Sequence, residues 1–450
     1  MFKKLLFLLC FPIAVFAQHT LKGNFAVENG YQFGILYRIA PDNVFYVADS
    51  NVASDGSYEL TLKEDLSPGM YRLVYNLPQD QHFFDFIYSG DHDIEFNFAK
   101  DKSVTFSNSQ NNIIWTAYRG KTFQFEKELV GILSEEEPNV KKLSKTLDTH
   151  QKWHNEIVKE ADGLLVASLI AATQPYFAKK IKTINQYEVQ AKKAYLGNID
   201  FTNATLQNSG IPLEQCIKYI FNYSDMDNKT ASRKYNIDDV AKAISTTENL
   251  YQKHLLYSIY TFLVANEQVE VANYLAEKHL IPIATSLKDT ALVRQLNIYK
   301  NISLGAKAPN FTWPEYDGDK ELTRSLHELD LAQTYVIVFW SSLCSHCLKE
   351  VPILHKKIAA MEEGAVKVVA VGLEDFEAEW KPKASQFTEF INVCGLGKWD
   401  NEIGNKYDIT ATPTYFVLDT DKKITAKPET LEALLSLLEK TSTKEAVEEK

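Results

Sequence analysis

Cysteine is scarce in this chain, with five in 450 residues. That excludes a small disulfide-stapled scaffold, which needs far more per residue. Lysine and arginine never cluster, and the formal charge is −11, so the electrostatic footprint of a nucleic-acid binder is missing. Beyond the first residues no stretch is long or apolar enough to span a bilayer. No repeat period emerges, which argues against a solenoid. A second Cys-x-x-Cys is also absent, so a structural zinc site would be short of ligands.

What remains has the composition of an ordinary folded protein, 45% hydrophobic and 24% charged, with many aromatics (23 Tyr and 25 Phe). The length predicts roughly three domains. The opening "MFKKLLFLLCFPIAVFAQ" has two lysines, an apolar run from Leu5 to Phe16 and a small Ala17. This pattern predicts a signal peptide over residues 1–17, cleaved after Ala17. A membrane anchor needs about 20 apolar residues. A lipoprotein needs a small residue before Cys10, where Leu9 stands. The expectation is an exported, soluble protein of the periplasm or cell envelope. It retains Cys216, Cys344, Cys347 and Cys394.

Three regions follow. Over 18–107, short aromatic and β-branched runs ("YQFGILYRI", "NVFYVADS", "SYELTL", "MYRLVYN", "HFFDFIYS", "DIEFNF") are separated by turns at Ser54-Asp55-Gly56, Pro68-Gly69 and Ser89-Gly90-Asp91. They predict a β-sandwich whose aromatics either fill an inner face or bind a ligand. Over 108–304 the apolar period becomes 3.6, and "AYRGKTFQFEKELVGIL", "HNEIVKEADGLLVASLIAA" and "VEVANYLAEKHL" read as amphipathic helices. Glu135-Glu136-Glu137-Pro138 reads as a solvated helix boundary. His150 and His154 lie one helical turn apart with no third ligand evident, so they read as surface neighbours rather than a metal clamp.

From 305 to 442 strands and helices alternate. "TYVIVFW" and "AVKVVAVGLE" are strands, each followed by a helix, at Cys347 to Met361 and around Phe376 to Phe390. "TYFVLDT" and "KITAKP" form a hairpin turning at Asp421, and "LEALLSLLEK" closes the region as a helix. Residues 443–450 read as a flexible, solvated tail.

The stretch "FWSSLCSHCLKEVP" places Cys344 where a strand ends and a helix begins. Unsatisfied helix N–H groups and the positive dipole end stabilise a thiolate there. A pKa lowered from ~8.5 to ~7 raises the ionised fraction at pH 7 from about 3% to about half. His346 can add a donor or a positive charge, and Cys347 is placed to resolve a mixed disulfide. A purely structural disulfide across this tiny loop would remove little chain entropy. Redox exchange is the better reading.

With "ATPTYFVLD" further on, the motif resembles the thioredoxin fold, and specifically the exported TlpA/ResA-like thiol-disulfide oxidoreductases. "GAKAPNFTWPEYDGDKELTRSL" resembles their additional N-terminal β-hairpin. The order of sandwich, helices and redox domain, with "SDGSYEL" and "PGMYRL", also resembles multidomain envelope proteins of Bacteroidota. The resemblance implies that Cys344 is the exposed nucleophile and Cys347 the resolving thiol. Trp340 would be the tryptophan before the motif and Pro413 a cis-proline facing the cysteines. Thr412 would offer backbone hydrogen bonds to an extended substrate. Glu374 or Asp375 would lie near an acidic position that tunes the buried cysteine. The implied partners are cysteine-containing envelope proteins and a membrane electron donor, with no cofactor, metal or nucleic acid.

Some residues depart from the pattern. Val338 replaces a buried Asp, Leu343 replaces a Trp, and Ser345-His346 replaces Gly-Pro, which leaves the redox direction open. Two other functions compete with the reductant or isomerase reading. One is a thiol peroxidase, for which Ser341 fits but Ile337 stands where proline is needed. The other is an envelope binding or scaffold protein with an accessory redox domain. Cys216 and Cys394 read as small buried hydrophobes, with a regulatory or third exchange role left open for Cys394.

Overall fold

Alternation shapes the first strands. In "SYELT" only Tyr58 and Leu60 point inward, and in "IEFNF" Ile94, Phe96 and Phe98 do. The computed structural model describes residues 19–63, 65–318 and 320–448, with the side chains of 317 and of 441–448 set aside. The expected signal peptide lies outside the described residues.

Among the described residues, eight strands form the first region: β1 Thr20–Phe25, β2 Phe33–Ile39, β3 Val44–Asn51, β4 Ser57–Thr61, β5 Gly69–Val74, β6 Phe83–Tyr88, β7 Ile94–Phe98 and β8 Val104–Phe106. They make two four-stranded sheets, ordered β4-β1-β7-β8 and β3-β2-β5-β6. The aromatics fill the space between. Phe25 meets Phe96 and Phe98 at ring separations of 5.4 and 5.2 Å, in one cluster with Tyr58, Tyr75 and Phe86. Gly23 lacks a side chain because a Cβ there would lie 2.5 Å from the Phe96 ring.

The helices are α1 Gln110–Leu133, α2 Val140–Glu160, α3 Val166–Thr173, α4 Ile184–Tyr195, α5 Ala204–Gln207, α6 Ile211–Asn222, α7 Lys229–Ile244, α8 Asn249–Ala265, α9 Val269–Leu275, α10 Ile281–Ser286 and α11 Thr290–Asn301. Asn112 of α1 bonds both the N–H and the carbonyl of Ile87 at 2.7 Å, stitching α1 to β6. The segment His154–Ala172, expected as one helix, is broken. α2 stops at Glu160, Gly163 turns at φ +75°, and α3 starts at Val166. The histidines also differ from expectation. His150 and His154 are buried, and His150 stacks on Phe125 with ring centres 4.1 Å apart. They continue the stripe Leu143, Leu147, Ile157 along α2, so helical spacing turns them toward α1.

The chain divides into two compact units, one ending at Ile283 and one beginning at Ala284. The second adds β9 Thr312–Asp317, β10 Lys320–Ser325, β11 Thr334–Trp340, α12 Cys347–Ile358, β12 Val366–Glu374, α13 Glu377–Ala384, β13 Phe390–Leu396, α14 Glu402–Lys406, β14 Thr414–Leu418, β15 Ile424–Ala426 and α15 Leu431–Glu448. β9 and β10 form the expected hairpin. The central sheet runs β13-β12-β11-β14-β15, with β11, β12 and β13 parallel and the β14–β15 hairpin antiparallel.

β11 is buried on both faces. Val336, Val338 and Trp340 point to one core, with Cys347 and Leu434, while Tyr335, Ile337 and Phe339 point to the other, with Ile302 and Tyr407. This is a thioredoxin-like α/β fold. Two details differ from the sequence reading. The helix after β12 ends at Ala384, and "FINVCGL" is a further strand, β13, because a short apolar run cannot be told from helix by periodicity alone. The closing helix continues to Glu448, through residues expected to form a flexible tail.

Candidate active site

The parallel strands end on one side of the sheet, where the loop from β11 carries Cys344 and Cys347 opens α12. Cys344 is half-buried and Cys347 fully buried; both are free thiols. The Cys347 backbone N–H, the first of α12, donates to Cys344 Sγ at 3.3 Å. An orphan N–H of the helix start is thus aimed at the sulfur. Burial pushes the Cys344 thiol up. Hydrogen bonds from the Cys347 thiol and N–H, from the Thr412 side chain and from the backbone of His346 outweigh it, so its pKa lies below the ordinary thiol value. For Cys347, burial and then the bond to Cys344 push the pKa up to about 12. The two thiols are chemically unequal.

Thr412 lies across the site, its carbonyl 3.3 Å from Cys344 Sγ, and the Thr412–Pro413 bond is cis. Trp340 is fully buried beneath the loop, edge-on to Phe387 at 5.6 Å. His346 is the exposed residue preceding α12, and its side chain caps nothing. Val338 shares the apolar core with Cys347. Leu343, beside the nucleophile, is 59% exposed.

Of the two acidic residues, Glu374 is the buried one. It is 2% exposed, while Asp375 is on the surface, paired with Lys398 at 3.5 Å. Glu374 accepts from the N–H of Ser342, from Ser342 Oγ at 3.1 Å and from Ser341 Oγ at 3.4 Å. Its partners are therefore the loop that carries Cys344, whereas burial dominates the Cys347 shift.

Glu350, Tyr415 and Lys383 escaped the sequence reading. Glu350, in the first turn of α12, accepts from the Tyr415 hydroxyl at 2.8 Å. Burial and then this contact raise the Tyr415 pKa, which keeps the phenol a donor. Glu350 had a legible signal, the i+3 spacing from Cys347. Lys383, which donates to the Ser342 carbonyl at 2.6 Å, had none. Cys394 sits half-buried on β13. Burial, then Glu377 and Glu374, push it up to about 11, so it stays protonated. Cys216 is fully buried and burial pushes its thiol far up. Among the described residues no group of three or more His, Cys, Asp or Glu could hold a metal, and no helix is long and apolar enough to cross a membrane.

Residues 304–427 match the model of the AhpC/TSA family. A thiol-disulfide oxidoreductase ResA of Bacillus cereus is 26% identical over 128 residues, 28% of this chain and 70% of the relative. Its Bacillus subtilis counterpart is 27% identical over 129 residues, 28% of this chain and 66% of the relative. Among solved structures, a thioredoxin-like protein from Bacteroides caccae is 18% identical, covering 59% of this chain and 97% of its own, with a TM-score of 0.36. The thioredoxin domain of a thiol-disulfide oxidoreductase from Bacteroides vulgatus is 26% identical, covering 31% and 96%, with a TM-score of 0.27.

Proposed function

We propose that this chain, whose residues 304–427 form an AhpC/TSA-type thioredoxin-like domain of the TlpA/ResA kind, is an exported thiol-disulfide oxidoreductase acting on cysteine-bearing proteins of the cell envelope. One observation carries the reading: two free thiols three residues apart, an accessible one with a lowered pKa and a buried one raised to about 12. Such a pair suits ordered exchange. The Cys344 thiolate attacks a substrate disulfide, forming a mixed disulfide and releasing one substrate thiolate. Cys347 then gives up its proton and attacks Cys344 Sγ. The S–S bond to the substrate breaks, the second substrate thiolate leaves, and the Cys344–Cys347 disulfide forms.

The substrate gains two electrons and the cysteine pair loses them. Glu350, three residues on in α12 and held by Tyr415, is a candidate acceptor for the Cys347 proton on the strength of its helical spacing. Repeated turnover as a reductant requires a two-electron thiol donor, for which we propose a membrane protein.

The peroxidase alternative is less well supported. The Ser341 hydroxyl is committed to Glu374 and to the Leu343 N–H at 3.2 Å, and Ile337 is buried mid-strand. The experiment is reduction of a peptide disulfide by the pre-reduced full chain. One disulfide reduced per chain, abolished in Cys344→Ser, is expected. Peroxide consumption without disulfide reduction would favour the peroxidase. A Cys344→Ser variant that keeps the biological role would favour the scaffold reading.

A further inference from the structure

Ser342 stands two residues before Cys344, and its backbone is gripped from both sides. Its N–H and hydroxyl go to Glu374, at the end of β12. Its carbonyl accepts from Lys383 Nζ, on α13, at 2.6 Å. Ser341 is held as well, its hydroxyl against Glu374 and its carbonyl accepting the Cys344 N–H at 3.1 Å. A carboxylate and an ammonium on two different elements thus fix the one peptide segment from which Cys344 projects. Charge-assisted bonds of this kind are shorter and roughly twice as strong as neutral ones.

Lys383 reaches this carbonyl because α13 lies close on the sheet. Gly372, which pairs with Trp340 on one side and Cys394 on the other, carries no side chain. Trp380 occupies the space a side chain would need: a Cβ at Gly372 would fall 2.1 Å from Trp380 Nε1. Trp380 and Lys383 are one turn apart on the same face of α13, so the seat of the indole sets the reach of the ammonium.

We propose that Lys383, with Glu374, is a positioning residue that holds Cys344 Sγ in register with the N–H groups of His346 and Cys347 and thereby maintains its reactive thiolate. This rests on the reading of Cys344 as the nucleophile. The grip acts through geometry. The hydrogen bonds that lower the Cys344 pKa depend on where its sulfur lies, and that follows from the backbone of 341–344. Releasing the Ser342 carbonyl lets the segment rotate and lengthens those bonds. An exposed lysine with no partner would have no such consequence.

The test is the pH profile of iodoacetamide alkylation at Cys344, followed by mass spectrometry on the reduced full chain. Wild type should titrate below an ordinary thiol at ~8.5. Lys383→Met keeps the apolar stem and removes the donor, and should move the midpoint upward by about one unit, with an up to about tenfold lower rate near pH 7. Lys383→Arg restores a cationic donor and should return the midpoint toward wild type. A Lys383→Met profile that overlays wild type, whatever happens to its melting temperature, overturns the proposal. So does an upward shift that arginine fails to reverse. A wild-type Cys344 that titrates like a free thiol would instead sink the nucleophile assignment itself, so the two failures are distinguishable.

Discussion

The backbone N–H of Cys347 points at the sulfur of Cys344, 3.3 Å away, so the resolving residue stabilises the nucleophile before it ever attacks it. The same residue keeps its own thiol fully buried and raised to about 12.

This inequality dictates what each cysteine variant should trap. Cys347→Ala retains the backbone N–H and the half-buried, accessible Cys344, so exchange should stall at the mixed disulfide and leave partners covalently attached. Cys344→Ala leaves a shielded, protonated thiol and should capture almost nothing. Non-reducing electrophoresis of cells producing each variant would show the adducts as slower bands that collapse with reductant. Equal capture by both variants, or none by either, would end the assignment of roles.

His346 should raise the reduction potential through its backbone more than its ring. Its N–H is among the groups that lower the Cys344 pKa, and its side chain caps nothing. Its φ of −69° suits proline, so His346→Pro removes that N–H without forcing the turn. A hydrogen bond to a charged group contributes about 1.5–3 kcal/mol. His346 is the smallest contributor, at a part-exposed sulfur, so with ~30 mV per ~1.4 kcal/mol the potential should fall by up to about 30 mV. His346→Ala keeps the N–H and should shift less. Equilibration with glutathione or thioredoxin measures both, and a potential that rises or stays level in His346→Pro contradicts the argument. The wild-type value also reads out direction: roughly −270 mV marks a thioredoxin-like reductant and roughly −120 mV an oxidant.

Buried His150 should make the first unit acid-sensitive. Burial, then Lys121 and His154, lower its pKa to about 4 in the folded protein, against ~6.5 unfolded. Between those values the unfolded chain binds a proton that the folded chain refuses. Stability therefore falls as pH drops, by up to about 3 kcal/mol over the window. Burial lowers His154 too and adds in the same direction. Urea midpoints at pH 7.5 and pH 5 should differ more in wild type than in His150→Phe, which keeps a ring against Phe125 but cannot titrate. A pH dependence untouched by the substitution would assign the effect to other groups.

Gly372→Ala should destabilise the second unit. The new methyl would meet the Trp380 indole, a rigid ring, at 2.1 Å. Overpacking of this kind costs about 1–3 kcal/mol, read as a lowered urea midpoint. Because α13 must lift, the thiolate midpoint of Cys344 should rise as well. A fully stable variant would mean that the helix has room to move.

Much of this was legible in the residues themselves. Strand "TYVIVFW" announces burial on both faces by its unbroken apolar run, and the strand-to-helix junction at Cys344 follows from where that run ends. Alternation in "SYELT" and "IEFNF" marks an inner face of the sandwich. Local spacing alone determined these features, because period 2, period 3.6 and the orphan N–H groups of a helix start are properties of short segments.

Tertiary structure decided what depends on residues far apart in sequence. His150 and His154 look solvated among the charges of α2 until α1 lays Phe125 over them. Whether Glu374 or Asp375 is the inward carboxylate hinges on a one-residue register, and β12 sets it by pairing Glu374 with Leu396 in a strand the periodicity missed. Lys383 is one lysine among many in the sequence. It becomes a partner of Ser342, 41 residues away, only because Gly372 lets Trp380 seat α13 against the sheet. Contacts between distant segments are fixed by close packing, which no local period encodes.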